Sequence, residues 1–347
     1  MSAHSVELSL LQAWPVERWR GRRVLVAVSG GPDSVAALWA ILRTAPNPDL
    51  ICVAHFNHRW RGQASDDDAQ FVRELCQRTS VNLVDKAAEQ TDVVTKSEEA
   101  ARLCRYQFLI DAAYQTGSQF VVTGHTADDR IETALHNLLR GSGLAGIAGP
   151  RAMRLLSEGI MLVRPLLSVF RCQVLDYLSA LDQGYRLDAT NWDDRFSRNF
   201  IRTKLLPLAR QHYVNGVDRQ ILSLAEIARE SIDALSVIAA RWLDQQPISS
   251  PALDEIVRRF ELENPWYVMH SSLVAMPAPV IREALKQVWQ VRGWPMKSMN
   301  RKHWLSVYSV LVASDSVQCP QQRLTLPGNL HVMVCGQLRV IGRRRKC

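Results

Sequence analysis

No stretch of this chain stays apolar for the roughly 18 residues that a membrane-spanning helix takes. The first twenty residues, with "ELSLLQAWPVERW" among them, hold no compact apolar block closing on small residues. No secretion signal is read there, and a cytoplasmic location is expected. Cysteine is sparse and badly spaced for pairing. Its seven copies are Cys52, Cys76, Cys104, Cys172, Cys319, Cys335 and Cys347, an odd number with no C-x-x-C among them. Neither a disulfide framework nor a zinc knuckle fits that spacing. Internal repeats and low-complexity tracts are also missing, which leaves ordinary globular domains. One further absence is local. The run "VLVAVSGGPDSVAAL" (24 to 38) has the apolar strand, paired glycines and helix start of a phosphate-binding turn, yet no lysine.

What is present suits a folded protein of about two domains, since 347 residues exceed one small core. Lys and Arg number 42 against 34 Asp and Glu, a formal charge of +8. The basic residues cluster in "RWRGRR" (18 to 23), "RNFIRTK" (198 to 204) and "RRRK" (343 to 346), a pattern compatible with a nucleic-acid partner. The same clusters also read as solvated surface.

The first half alternates strand and helix. "RVLVAV" (23 to 28), "LICVAHF" (50 to 56), "VNLVDKAA" (81 to 88) and "FVVTGH" (120 to 125) read as buried parallel strands. Helices are expected behind each, over "DSVAALWAILRTA", "SDDDAQFVRELCQRT", residues 97 to 117 with Ser97 as cap and Gly117 as close, and "TADDRIETALHNLLRG". The expected fold class is therefore α/β, a Rossmann-like parallel sheet covered on both faces, with ligands at the carboxyl ends of its strands. Near residue 215 the pattern changes. Long helices are expected over 214 to 246 and 278 to 293, and "RLTLPGNLHVMVCGQLRVIGRRRK" reads as a small strand pair. The domains expected are 1–215, the α/β part, and 216–347, helix-rich with a β segment at 318–342. Trp192, Trp242, Trp289, Trp294 and Trp304 are expected in cores, not on bases.

If Val24 to Val28 form a strand, Ser29, Gly30 and Gly31 make the turn at its end. Pro32 then opens the helix, where its missing N–H costs nothing. Backbone N–H groups at such a place suit an anion, with the hydroxyls of Ser29 and Ser34 as further donors. Asp33 would repel a bare phosphate, and a metal ion bridging the two removes the conflict. A Walker-type loop requires G-x-x-x-x-G-K-[ST], and "SGGPDS" is shorter. It resembles, at every fixed position, the S-G-G-x-D-S motif of the N-type ATP pyrophosphatases, the PP-loop superfamily. That resemblance implies cleavage of ATP between its α and β phosphates, with the loop holding the departing pyrophosphate.

Further stretches resemble the tRNA(Ile)-lysidine synthetases in order and spacing. These are "EEAARLCRYQFL" (98 to 109), "TGHTADDRIETALHNLLRGSGLAGIAG" (123 to 149), "RPLL" (164 to 167) and "DATNWDDRFSRNFIRTKLLP" (188 to 207). With the loop they cover residues 24 to 207, and the "LPGNLHV…LRVI" end is similar to a later segment of the family. The resemblance implies an ATP-dependent ligase that attaches free L-lysine to C2 of the wobble cytidine in a tRNA(Ile) with a CAU anticodon. The cytidine oxygen is first adenylated, and the lysine ε-amine then displaces AMP. Charge builds on phosphorus oxygens in both steps, so cations are needed there. Asp33 and Asp129 are the expected Mg2+ ligands. Glu132, one turn from Asp129 on the same helix face, is placed to hold the lysine or take its proton. Arg105, Arg198 and Arg202 are the candidates to pair with phosphates or the adenylated cytidine. His125 is expected to orient the strand-end turn, and His55 and His58 to line the adenine pocket.

Two departures stand out. Where the family commonly shows H-x-D-H-x-L-R-G, this chain reads "HFNHRWRG" (55 to 62), so Asn57 supplies no charge. Longer members carry a further carboxyl-terminal domain gripping the tRNA acceptor stem, whereas this sequence stops soon after "LRVIGRRRK", with "RRRK" as the candidate substitute. The alternative readings are another PP-loop tRNA-modifying enzyme, such as a thiolase, and a non-catalytic tRNA-binding protein. The absence of closely paired cysteines weighs against the first, and the intact loop with both aspartates against the second.

Overall fold

The computed structural model describes residues 3–60, 62–88, 98–187, 197–213, 216–246, 251–314 and 321–345. The chain divides into two units, Met1–Ala228 and Arg229–Cys347. Among the described residues no helix is long and apolar enough to cross a membrane.

The first unit is organised by β1 (Val24–Ala27). Successive side chains of a strand point to opposite faces. Val24, Val26 and Val28 accordingly enter one core, with Val35, Leu38 and Ile41 of α2 (Pro32–Thr44), Leu10 of α1 (Ser5–Ala13) and Leu178 of α7 (Arg171–Ala180). Leu25 enters the other, with Phe108, Leu109 and Ala112 of α4 (Glu98–Thr116). A strand buried on both faces has no polar position to offer, which is why "VLVA" reads as an unbroken apolar run. Buried Glu7 accepts from Arg43 and, at 2.9 Å, from the Tyr177 hydroxyl, so one carboxylate joins α1, α2 and α7.

Around β1 the sheet runs β3-β2-β1-β4-β6-β5, where β2 is Ile51–Asn57, β3 Asn82–Ala87, β4 Phe120–Thr123, β5 Met153–Ser157 and β6 Ile160–Val163. Pairings are parallel except β5 with β6, an antiparallel hairpin absent from the sequence reading. The chain moves outward from β1 through β2 to β3, then returns to lay β4 on the other side of β1. The crevice between β1 and β4 is thus the point where strand order reverses, the usual binding place of such sheets. Helices α3 (Gln63–Thr79) and α5 (Ala127–Leu139) follow β2 and β4. Gly117, at φ +67°, follows α4 in the left-handed region that glycine favours. Ser97 lies outside the described residues, as does Trp192.

In the second unit, the carboxyl-terminal end is larger than a strand pair. β8 (Gln321–Leu326), β9 (Leu330–Cys335) and β10 (Leu338–Arg344) form an antiparallel sheet with β7 (Leu262–Met269), in the order β7-β10-β9-β8. Pro265 argues against a strand when β7 is read from sequence. The structure places β7 at the sheet edge, where a missing N–H is tolerated. Helices α10 (Val217–Asp244) and α13 (Ala278–Val291) match the two long helices expected. Trp242, Trp289 and Trp294 are buried in one core, with Trp304 packed against it. The rings of Trp294 and Trp304 stand edge-on to Trp289 at 4.7 and 5.1 Å. Fully buried Arg339 donates to the carbonyls of Leu311, Ala313 and Gly336, closing the sheet against α14 (Arg301–Val312).

The crevice depends on a close approach. A Cβ on Gly124, just after β4, would stand 2.4 Å from the Asp33 carbonyl oxygen and 2.8 Å from the Ser34 nitrogen. Those atoms are backbone in the first turn of α2 and cannot swing aside. We expect Gly124→Ala to lower the unfolding free energy by about 1–3 kcal/mol, the usual range for overpacking, and to weaken nucleotide binding. A denaturant titration with a nucleotide-binding assay checks this, and a Gly124→Ala variant matching wild type in both would show that the turn yields freely.

Candidate functional site

The glycine turn is tied together by one hydroxyl. Ser34 Oγ donates to the Gly31 carbonyl at 2.9 Å, accepts from the Ser29 N–H at 3.1 Å and lies 3.2 Å from Ser29 Oγ. Gly30 holds φ at +93°, a conformation that other residues rarely adopt. Its carbonyl accepts from the Arg186 N–H at 2.9 Å. Gly31 caps α2 without a side-chain acceptor, and Pro32 stands at the helix start. The first N–H groups of the helix therefore receive no capping side chain from Gly31, the arrangement an anion exploits.

The turn opens into a cavity of ≈ 280 Å³. Of the residues expected from sequence, Ser29, Gly31, Asp33, Ser34, His58, Arg105, His125 and Asp129 line it. Gly30, Pro32, His55, Glu132, Arg198 and Arg202 do not. His55 is buried behind the wall, with Nδ1 2.8 Å from the Val28 carbonyl, where it braces the end of β1. Arg198 lies exposed on α8 (Ser197–Phe200). Asn57 does not reach the cavity. Its amide donates to Asp66 at 2.8 Å and its oxygen accepts from the Arg59 N–H at 2.8 Å, which steadies a turn where Arg59 has φ +54°. That tight polar turn explains an uncharged side chain here.

Asp33 is a strongly perturbed carboxylate. Burial pushes its pKa up to about 6, against the pull of Arg171, whose Nη1 donates to Oδ2 at 3.2 Å. The charge of Asp129 adds to the rise. The other oxygen, Oδ1, is buried and has no hydrogen-bond partner among the described residues. Asp129 is held as the capping acid of α5, with Oδ2 accepting from the Thr126 N–H at 2.8 Å and its hydroxyl at 3.2 Å.

Glu132 is buried and accepts two bonds from Arg202, at 2.6 and 3.2 Å, a bidentate charge-assisted pair. Burial raises the Glu132 pKa and Arg202 opposes the rise. Arg202 itself rides on a π-helical turn, Ile201–Leu205, in which the Leu206 N–H reaches back to the Ile201 carbonyl. Pro207, next in line, has no N–H to continue an α-helical ladder, and single π turns recur at functional sites.

Both cavity histidines are neutral at pH 7. Burial and the neighbouring Arg105 lower His58 to about 4. Burial also lowers His125 to about 4 against the pull of Asp129, while its Nδ1 lies 2.9 Å from Thr123 Oγ1. Positive charge at the cavity therefore comes from arginine. Sequence reasoning passed over Arg171, Tyr106, Arg164 and Gly124. Tyr106 stands beside Arg105 and Gly124 beside His125, so both were within reach of the quoted motifs, whereas nothing local distinguishes Arg171 from other arginines.

Residues 4–209 match the model of the PP-loop domain family. A tRNA(Ile)-lysidine synthase of Rhodopirellula baltica is 31% identical over 331 residues, covering 87% of this chain and 83% of that protein. Another from Nostoc sp. is 32% identical over 276 residues, with 77% and 78% covered. Among solved structures, the U34-tRNA thiolase NcsA from Methanococcus maripaludis with its 4Fe-4S cluster aligns at a TM-score of 0.55. The alignment covers 65% of this chain and 78% of that one at 14% identity, a likeness of fold alone. Sequence identity carried through both units, on a PP-loop sheet with an intact S-G-G-P-D-S turn, makes this chain a member of the tRNA(Ile)-lysidine synthase family.

Proposed function

We propose that this chain uses ATP and Mg2+ to join free L-lysine to C2 of the wobble cytidine in the CAU anticodon of tRNA(Ile), working in the cytoplasm. The observation that carries the reading is the opening of the lysine-free glycine turn into one cavity with Asp129 and Arg105, in a chain of this family. In the first step the cytidine O2 attacks the α phosphorus of ATP, the bond to the β-phosphate oxygen breaks, and pyrophosphate leaves. In the second the lysine ε-amine attacks C2, the C2–O2 bond breaks, AMP departs with that oxygen, and the amine loses a proton.

Ser29, Ser34 and the backbone at the start of α2 hold the pyrophosphate portion, which explains a turn without lysine: nothing has to follow a γ-phosphoryl group in transfer. Magnesium suits the acids present. It is a hard cation that takes one or two carboxylates and completes its shell with phosphates and water. Asp33 offers a buried oxygen without a partner among the described residues, and the Thr126 bonds to Asp129 occupy only Oδ2. When bound there the ion would offset negative charge on the phosphates.

Arg105 lines the cavity and is placed to pair with the α-phosphate oxygens. His58 and His125, neutral at pH 7, shape and hydrogen-bond without adding charge. Glu132 is the seat for the lysine ammonium, which requires Arg202 to release it and turn toward the phosphate. Arg198, exposed, faces the RNA. The helix-rich second domain, 216–347, grips the tRNA body. An anticodon loop presents its bases unpaired, so bringing the cytidine into the cavity costs little.

The direct test is mass analysis of the wobble base after incubation with ATP, magnesium and lysine. Lysidine with AMP and pyrophosphate is expected, and ADP with orthophosphate would exclude the scheme. Asp33→Asn should abolish adenylation while tRNA still binds. The same change should stabilise the free protein. A carboxyl group raised from 3.8 to about 6 on folding binds its proton more tightly when folded, so its contribution is fully present below about pH 4 and is lost as pH rises through 6. Replacing it with a neutral amide should therefore add up to about 3 kcal/mol above pH 7 and nothing below pH 4, read by denaturant titration at both pH values. Glu132→Gln should raise the KM for lysine at least tenfold with little change for ATP; equal effects on both substrates would remove Glu132 from the lysine seat.

A further inference from the structure

Tyr106, on the cavity wall, is surrounded by guanidinium groups. The Cζ atoms of Arg102 and Arg154 each lie 5.3 Å from its ring centroid. Arg164 Nη2 donates to its hydroxyl at 3.4 Å and Nη1 to the Arg151 carbonyl at 2.8 Å. Arg164 is only 3% exposed, yet its Nε has no hydrogen-bond partner among the described residues. Among those same residues no carboxylate pairs with Arg102, Arg154 or Arg164. Like charges gathered in partly buried space repel one another unless an anion joins them. The strain shows on the neighbours. Burial and the charges of Arg154 and Arg102 lower Arg164, while Arg102 and Arg164 lower Tyr106 against the effect of its burial.

We propose that Arg102, Arg154 and Arg164 around Tyr106 form a seat for a backbone phosphate of single-stranded RNA beside the nucleotide being modified. The inference rests on the reading of a tRNA substrate given above. Three observations favour RNA over the triphosphate. The glycine turn supplies its own donors for the pyrophosphate, from the first turn of α2, whereas Arg102 and Tyr106 belong to α4, which packs on the opposite face of the sheet. Arg154 lies on β5, the outermost strand, paired on one side only, so a long ligand can approach from outside the sheet. Arg102 is exposed while Tyr106 lines the cavity, so the cluster leads from surface to interior. Arginines interleaved with an aromatic ring are what an unpaired strand engages, through phosphate contact and stacking.

The test is the salt dependence of tRNA(Ile) binding to the full chain, compared with Arg102→Ala, Arg154→Ala and the double variant. Each lost contact to a single strand should flatten the slope of log K against log salt by about 0.7. The double variant should thus lose about 1.4 from the slope and bind at least tenfold more weakly at low salt, with ATP affinity within twofold of wild type. Unchanged slope and affinity would overturn the seat. So would weakened ATP binding with tRNA binding intact, which would assign the arginines to the triphosphate. Should the alanine pair misfold, Arg102→Gln with Arg154→Gln keeps the stems packed on Tyr106 and reads the same slope. Wild-type protein that binds no tRNA would remove the substrate reading as well, which separates the two failures.

Discussion

The site is organised around a carboxylate kept where water has largely been withdrawn. Asp33 sits in the first turn of a helix whose start favours anions, with one oxygen held by Arg171 and the other facing no partner among the described residues. Such a group is costly to the free protein, and a cation brought against it would relieve that cost. The surrounding arrangement enforces that placement. The bare backbone of Gly124 lets the turn after β4 lie against the Asp33 carbonyl, and the same turn starts the helix that carries Asp129. Two acids thereby face one cavity from the two strands at which the sheet changes direction.

Charge in this cavity is divided by residue type. The histidines have been stripped of charge by burial, and the acids Asp33 and Asp129 gather beside the glycine turn. Fixed positive charge is left to arginines, which cannot be neutralised at any pH the protein meets. Glu132 and Arg202 satisfy each other in the free protein, so neither stands as an uncompensated buried ion. The arginines around Tyr106 have no such internal partner among the described residues, a contrast that separates a resting pair from a waiting seat.

Much of the fold of the first unit was legible in the sequence because the central strands β1, β2 and β4 are buried along their length and read as unbroken apolar runs. The loop, Asp129 and Arg105 could be named in advance since their chemistry is tied to short motifs. Arg171 could not, for its role arises only when α7 folds back on a residue 138 positions earlier. The edge strand β7 contains Pro265, whose cost depends on which side of the sheet it faces, and that is set only once the sheet has formed. Spacing puts Glu132 one turn from Asp129 on α5, but its engagement by Arg202 is a matter of side-chain geometry that spacing does not encode.

The π-helical turn under Arg202 has an implication for how this protein can change over generations. Such a turn holds one more residue than the regular spiral around it, so removing a single codon there would yield a neater helix. What changes on such a deletion is the direction of the side chains inside the turn, Arg202 among them, and with it the two bonds to Glu132. The irregular turn thus fixes the geometry of the Arg202–Glu132 pair where a regular helix would not.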